Sequence, residues 1–93
     1  MKIISQIDPQ ISKRYLRRMK YKLNLLSEKF KDLISTTFYL TIEGYRNKEY
    51  VLKTVFNVKG APLVVTSKGS SLDALIENNL KSAHRLLVKH KDY

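Results

Sequence analysis

One apolar pattern in the first third of the chain limits what this sequence can fold into. Apolar residues recur every three or four positions, at Ile11, Tyr15, Met19, Leu23, Leu26, Phe30 and Leu33. This spacing places them on one stripe of an α-helix. We therefore predict a long amphipathic helix over residues 9–32, with Asp8 as its N-cap and Pro9 at its first helical position. A stripe of this length requires a second apolar surface against which it is buried.

The remaining patterns supply that surface. Alternating apolar and polar residues rich in β-branched and aromatic types predict strands over residues 2–7, 36–43, 49–59 and 62–67. A second amphipathic helix is predicted over residues 71–90, and Ser70 with Asp73 resembles its capping box. The expected fold is therefore α+β: a two-layer sandwich of order β-α-β-β-β-α, in which two helices cover one face of a four-stranded sheet.

Length and composition favour a single domain over residues 1–93. The chain has no cysteine, which excludes disulfides and thiolate metal sites. No segment is apolar enough to span a bilayer, and the N-terminus lacks the apolar region of a secretory signal. We therefore expect a cytoplasmic protein that is monomeric when free and has no membrane partner.

The charge is large and localised. Eighteen Lys and Arg residues against eight Asp and Glu residues give a net charge of +10. Residues 10–34 carry eight basic residues and only two acidic ones, Glu28 and Asp32, for a local net charge of +6. A concentrated cationic segment is typical of proteins that neutralise phosphates.

The first helix presents its cations in two rows. Lys13, Arg17, Lys20 and Asn24 form one row, and Arg14, Arg18, Lys22 and Lys29 form the other. Between positions 13 and 22 no acidic residue offsets their mutual repulsion, so we expect a polyanion outside the chain to supply the counter-charge. These side chains should point away from the apolar stripe. Tyr21 lies among them and is a candidate for stacking on a base.

No set of residues for catalysis or metal binding is apparent. His84 and His90 are six positions apart on one helix, so they cannot face a common ligand. We predict that His84 borders the core and that His90 belongs to a solvated basic cluster. Gly44, Gly60 and Gly69 are isolated and form no phosphate-binding loop. The expectation is a binding protein rather than an enzyme, with no cofactor and no metal.

Four short motifs give the chain a resemblance to a known family. They are Leu26-x-x-x-Phe30-x-x-Leu33, Leu40-Thr41-Ile42-Glu43, Val58-Lys59-Gly60 and Arg85-x-Leu87-x-Lys89-His90-Lys91. In this order they resemble the ribosome hibernation promoting factors, which include the ribosome-associated inhibitor proteins. One departure from the family pattern is Asp73, where the family often has Tyr.

The resemblance implies a function. Members of this family inhibit translation in starved, stationary-phase cells by occupying the mRNA and tRNA channel of the small ribosomal subunit. A chain of this length resembles the short form, which acts on ribosomes with a separate dimerising protein or with none. The resemblance adds the second helix to the rRNA-binding residues, and the complete expected set is Lys13, Arg14, Arg17, Arg18, Lys20, Tyr21, Lys22, Lys29, Lys81, Arg85, Lys89 and Lys91.

Two alternatives stay open at this point. The first is a generic RNA- or DNA-binding module outside the ribosome. The second is a protein-interaction domain that uses the exposed face of the sheet, with Tyr39, Tyr45 and Tyr50 as anchors. A membrane-surface role is disfavoured, because the apolar stripe of the first helix is needed for its own core.

Overall fold

Six elements make up the structure, a computed structural model that describes residues 1–44 and 46–91, with side chains as far as His90. In chain order they are β1 (Lys2–Ile7), α1 (Lys13–Lys29), β2 (Leu33–Glu43), β3 (Glu49–Val58), β4 (Ala61–Gly69) and α2 (Leu72–Lys91). The predicted α+β fold and its β-α-β-β-β-α order are confirmed.

The strands form one mixed sheet in the order β1-β2-β3-β4. β1 runs parallel to β2, with Ile4 opposite Thr37, while β2, β3 and β4 form an antiparallel meander. Alternate side chains of each central strand are buried against the helices, and the intervening ones line an open face. The sheet therefore has one dry face and one wet face.

A single core lies between the sheet and the two helices. The apolar stripe of α1 and that of α2 join the same buried cluster as Phe38, Leu40, Leu52 and Phe56 of the sheet. Tyr15 and Leu80 lie at its margin, half-buried. The prediction that both helices cover one face of the sheet is confirmed.

The first helix begins later than predicted. Its N-cap is Ser12, whose Oγ accepts a hydrogen bond from the Arg14 backbone N–H at 3.4 Å. Asp8 is not the cap: its Oδ1 accepts from Gln10 N at 2.9 Å, and its carbonyl accepts from Ile11 N at 3.0 Å. Asp8 and Pro9 thus close a turn that places Ile11 in the core before the helix starts.

Two further boundaries differ from the prediction. α1 ends at Lys29, and Phe30 already has extended backbone angles while its N–H still donates to Leu26 O. At the start of α2, the hydroxyl of Ser71 rather than that of Ser70 accepts from Ala74 N at 3.4 Å. Both differences are shifts of cap residues and leave the apolar stripes in their predicted register.

A buried amide joins α2 to the sheet, and the sequence patterns gave no prediction for it. Asn79 is fully buried, and its Oδ1 accepts from Thr54 Oγ1 at 3.0 Å. Its Nδ2 donates towards the carbonyls of Leu52 and Val65, at 3.3 and 3.4 Å, and lies 3.2 Å from Ser67 Oγ. A side chain with this many partners fixes the position of α2 over β3 and β4.

Candidate nucleic-acid interface

The flank of α1 that points away from α2 carries one row of cations. Lys13, Arg17 and Lys20 are all exposed, at the spacing of one helix face, and we call them the outer row. Among the described residues, none of the three forms an ion pair. The outer row therefore offers three unneutralised positive charges over about two turns of helix.

The second predicted row is different, because it faces α2. Arg18 Nη1 pairs with Asp73, and Arg18 Nη2 lies 3.1 Å from Glu77 Oε1. Lys22 Nζ pairs with the same oxygen of Glu77. From the sequence, a polyanion outside the chain is expected to supply the counter-charge of this row. For Arg18 and Lys22 the chain supplies part of that counter-charge itself, from α2.

The order of these pairs gives the direction of the helices. Arg18 lies beside Asp73, Lys22 beside Glu77, and Phe30 beside His84. The residue numbers rise together, so α1 and α2 run in the same direction and end at the same pole of the molecule. Asp73 thus has a structural role as the ion-pair partner of Arg18.

The bridge between the helices lowers the pKa of the Glu77 carboxyl. The main cause is the hydrogen bond from Lys22, and the hydrogen bond and charge of Arg18 act in the same direction, while partial desolvation opposes them. The Glu77 side chain is 42% exposed, so water and salt screen much of this interaction. We therefore assign the bridge a modest share of the stability.

Glu77→Gln is expected to lower the free energy of unfolding at pH 7 by less than about 1 kcal/mol. Because the pKa is depressed in the folded state, the carboxylate stabilises the fold above the ordinary Glu pKa of about 4.3, and this contribution is lost as the pH falls through the folded-state pKa. Urea unfolding of the wild type and of Glu77→Gln, at pH 7 and in the acid range, measures the difference in the free energy of unfolding. A difference that grows on acidification would contradict the assigned sign.

Two aromatic residues of α1 behave differently. The Arg14 guanidinium folds over Tyr15: its Nη2 donates to the Tyr15 hydroxyl at 2.8 Å, and its Cζ lies 4.8 Å from the ring centroid. Tyr21, by contrast, is 66% exposed. The Tyr21 ring is therefore exposed, and its role in stacking stays a prediction, whereas Arg14 is partly engaged within the chain.

The other predicted cations lie along α2 and between the helices. Lys29 and Lys81 border a groove of about 220 Å³ whose floor includes Leu25, Leu26 and Leu80. Arg85 and Lys89 are exposed on α2. The side chain of Lys91 lies outside the described residues. The predicted cations thus lie in different settings: the outer row, an ion-paired bridge, and a groove that Lys22 of the bridge also lines.

Both histidines make specific contacts. His84 packs edge-on against the buried Phe30 ring, with centroids 5.5 Å apart, which confirms that it borders the core. His90 is half-buried, and its Nε2 lies 3.2 Å from the carbonyl oxygen of Lys59, so it is held against the β3–β4 turn rather than simply solvated. In the described part of the chain, no three His, Asp or Glu side chains come together as metal ligands.

The open face of the sheet carries some of the exposed apolar surface. Ile4 and Val64 are 45% and 49% exposed, and they lie in one row that crosses all four strands through Thr37 and Val55. Tyr39 belongs to this face, but Tyr50 points to the helix side and packs against the core. Tyr45 lies outside the described residues. Of the three tyrosines predicted as anchors, the structure thus places Tyr39 on the open face.

Comparison with known proteins shows solved structures with the same fold, among them the following two. A ribosomal subunit interface protein from Coxiella burnetii matches with a TM-score of 0.84 and 11% identity, covering 100% of both chains. The N-terminal domain of Protein Y from Thermus thermophilus matches with a TM-score of 0.79 and 15% identity, covering 97% of this chain and 99% of that one. No family model and no curated protein matches the sequence. At these identities the likeness concerns the fold, and at that level the resemblance seen in the sequence motifs is confirmed.

In the ranges that the structure describes, neither helix combines the length and the apolar character that crossing a membrane requires.

Proposed function

We propose that this protein binds the small ribosomal subunit through the cationic surface of its helix layer and inhibits translation by occupying the mRNA and tRNA channel. The observation that carries the proposal is the outer row: three exposed cations at helical spacing with no ion-pair partner among the described residues. The shared fold with a ribosomal subunit interface protein supports the choice of the ribosome as the source of the phosphates.

The proposed contact surface follows from the division of the cations. The outer row and Tyr21 lie on α1, Lys29 and Lys81 border the groove, and Arg85 and Lys89 lie on α2. Lysines act as point charges towards phosphate, and the Arg17 guanidinium adds a forked donor. Such a surface recognises the backbone and shape of structured RNA rather than a base sequence. The protein performs no chemistry in this proposal and acts by occupancy in the cytoplasm.

Salt is expected to weaken binding to the small subunit steeply. If five to eight phosphates are neutralised, the logarithm of the association constant should fall with the logarithm of the salt concentration with a slope of about −4 to −7. Co-sedimentation with purified small subunits between low and physiological salt measures the slope. A flat dependence would remove the electrostatic basis of the proposal.

Peptide synthesis in vitro tests the mechanism. Protein added at a concentration equal to that of ribosomes should inhibit synthesis, and excess bulk RNA should relieve the inhibition poorly, because a ribosomal site is preferred to generic RNA. Unchanged synthesis would refute the occupancy mechanism. Equal competition by bulk RNA would favour a generic nucleic-acid-binding module instead.

A protein-binding role for the open sheet face is the second candidate. The apolar row through Ile4, Val55 and Val64 favours it, because rows of this kind on a wet sheet face are suited to contact with a protein surface. Affinity capture with and without nuclease treatment separates the two functions. A partner retained after nuclease treatment and lost in Val64→Lys would support this second role.

A further inference from the structure

A small cavity lies at the pole where α1 and α2 both end. Its walls are formed by the apolar side chains of Phe30, Val58 and Leu87. Lys29, Lys31, Asp32 and His90 complete the lining, and the volume is about 140 Å³. None of the three outer-row residues lines this cavity, and of the residues proposed to contact the ribosome only Lys29 does.

Hydrogen bonds between four elements hold the cavity open. Leu33 N donates to Phe30 O at 3.1 Å, and Lys59 N donates to Asp32 O at 3.3 Å. His90 Nε2 lies 3.2 Å from Lys59 O, which fastens the last turns of α2 to the same loop. The edge-on contact with His84 orients the Phe30 ring. The cavity is therefore built by backbone hydrogen bonds and by contacts of two histidine side chains, all of which exist without a ligand, as in preformed small-molecule sites.

The size of the cavity suits one six-membered aromatic ring. An apolar cavity of about 150 Å³ accommodates benzene. A pyrimidine has one such ring, whereas a purine has a second fused ring and needs more of this volume. The Phe30 ring forms one wall, and aromatic side chains are the usual stacking partners of bases.

The polar lining suits the rest of a nucleotide. Lys29 and Lys31 provide ammonium donors, and their charge exceeds that of the single carboxylate, Asp32. Lysines at the edge of an apolar cavity are well placed to bind a phosphate next to a buried ring. The Asp32 carboxylate accepts hydrogen bonds, and both common pyrimidines carry N–H donors on the ring edge.

We propose that this cavity binds a pyrimidine nucleotide, with the base between Phe30, Val58 and Leu87 and the phosphate at Lys29 and Lys31. The same chemistry is offered by a free nucleotide and by an unstacked pyrimidine residue of single-stranded RNA. The inference stands on the cavity alone and does not require that the outer row binds the ribosome.

NMR titration of the isolated protein provides the test. Uridine and cytidine 5′-monophosphate should shift the amide signals of Phe30, Val58 and Leu87 with a dissociation constant of about 1 mM. Three comparison ligands should each bind at least about fivefold more weakly: adenosine 5′-monophosphate, uridine without phosphate and ribose 5-phosphate. The first has a base that is larger than the cavity suits, the second lacks the phosphate, and the third lacks the base. A uridine hexanucleotide distinguishes the sources: tighter binding at the same amides indicates RNA, and binding of the mononucleotide alone indicates a free nucleotide.

Two variants test the phosphate contact and the base contact separately. Lys31→Glu should weaken uridine 5′-monophosphate binding about tenfold through charge repulsion, whereas Lys13→Glu, the same change on the outer row, should leave it unchanged. Val58→Ile adds one methylene to the wall and should weaken binding of the nucleotide but not of ribose 5-phosphate. Unfolding curves of each variant establish that the fold is retained.

Three results would overturn the proposal. Equal binding of ribose 5-phosphate and uridine 5′-monophosphate would show a phosphate contact without a base site. Tighter binding of adenosine 5′-monophosphate would contradict the volume argument. Tighter binding of N-acetyltyrosinamide than of either pyrimidine nucleotide would make the cavity a site for a protein side chain. Each readout uses the isolated protein, so failure here is distinguishable from failure of ribosome binding.

Discussion

Charge reversal of the whole outer row, by Lys13→Glu, Arg17→Glu and Lys20→Glu, is expected to lower the affinity for the small ribosomal subunit at least about a hundredfold. Three cations that neutralise phosphates become three anions that repel them. The dependence of the association constant on salt should also become less steep. The magnitude of its logarithmic slope should decrease by about 2 to 3, since each lost phosphate contact removes about 0.7–0.9. Co-sedimentation with purified small subunits measures both quantities.

Stability should be almost unaffected by this triple change. All three side chains are exposed and form no ion pair among the described residues. The first turn of α1 contains no acidic residue, so a glutamate at position 13 interacts favourably with the helix dipole. Reversal at Arg18 and Lys22 would be a poorer test, because it would place new carboxylates beside Asp73 and Glu77 and separate the helices.

The matched control reverses Arg46, Lys48 and Lys53, which are exposed on the β2–β3 hairpin and on β3. Net charge changes by the same amount as in the outer-row variant, so any effect of overall charge is reproduced. We expect this control to bind the small subunit at least about tenfold more tightly than the outer-row variant. If both variants bind equally, the outer row is not the contact surface.

Asn79→Ala is expected to destabilise the protein by about 2–4 kcal/mol. The substitution removes the bond from Thr54 and the amide donors to the sheet carbonyls, and it leaves a cavity beneath α2. For a domain of this size that is a large part of the total stability. Urea unfolding followed by circular dichroism measures the loss.

Two companion variants make the reason testable. Asn78→Ala changes the same residue type at the preceding position, which is exposed, and it should alter the stability by no more than about 0.5 kcal/mol. Thr54→Val keeps the shape of the side chain but removes the donor to Asn79, and it should cost about 1–3 kcal/mol. A loss below 1 kcal/mol for Asn79→Ala would mean that the network does not fix α2 to the sheet.

The sequence predicted the fold because the information for it is local. Helix and strand periods appear within short windows, and the stripes from Met19 to Leu26 and from Ile76 to Leu87 led directly to the buried faces. The positions of the helix starts are not set by such local patterns. The residues Asp8 and Pro9, for example, suit a turn as well as they suit the start of a helix. Ser12 and Ser71 fulfil the capping role because tertiary contacts decide where the first helical turn forms.

The candidate site was predicted less well, for a physical reason. Residue spacing gives the face of a helix but not what lies beside it. Arg18 meets Asp73 across a separation of 55 residues, and Lys29 and Lys81 meet across one groove. Asn79 had a usable signal, because it occupies an apolar position of the α2 stripe, between Ile76 and Ala83. A polar residue at such a position indicates a buried hydrogen-bond network.

The parallel pairing of β1 with β2 has a consequence for the order of folding. Lys2 pairs with Ser35, 33 residues further along the chain, whereas β2, β3 and β4 are joined by short turns. Bringing distant segments together takes longer than closing a hairpin, because more chain entropy is lost before any contact forms. Because β1 is an edge strand with one neighbour, it also gains less stabilisation when it joins the sheet. We therefore expect the meander to form first, and the strand that is synthesised first to be the last to enter the sheet.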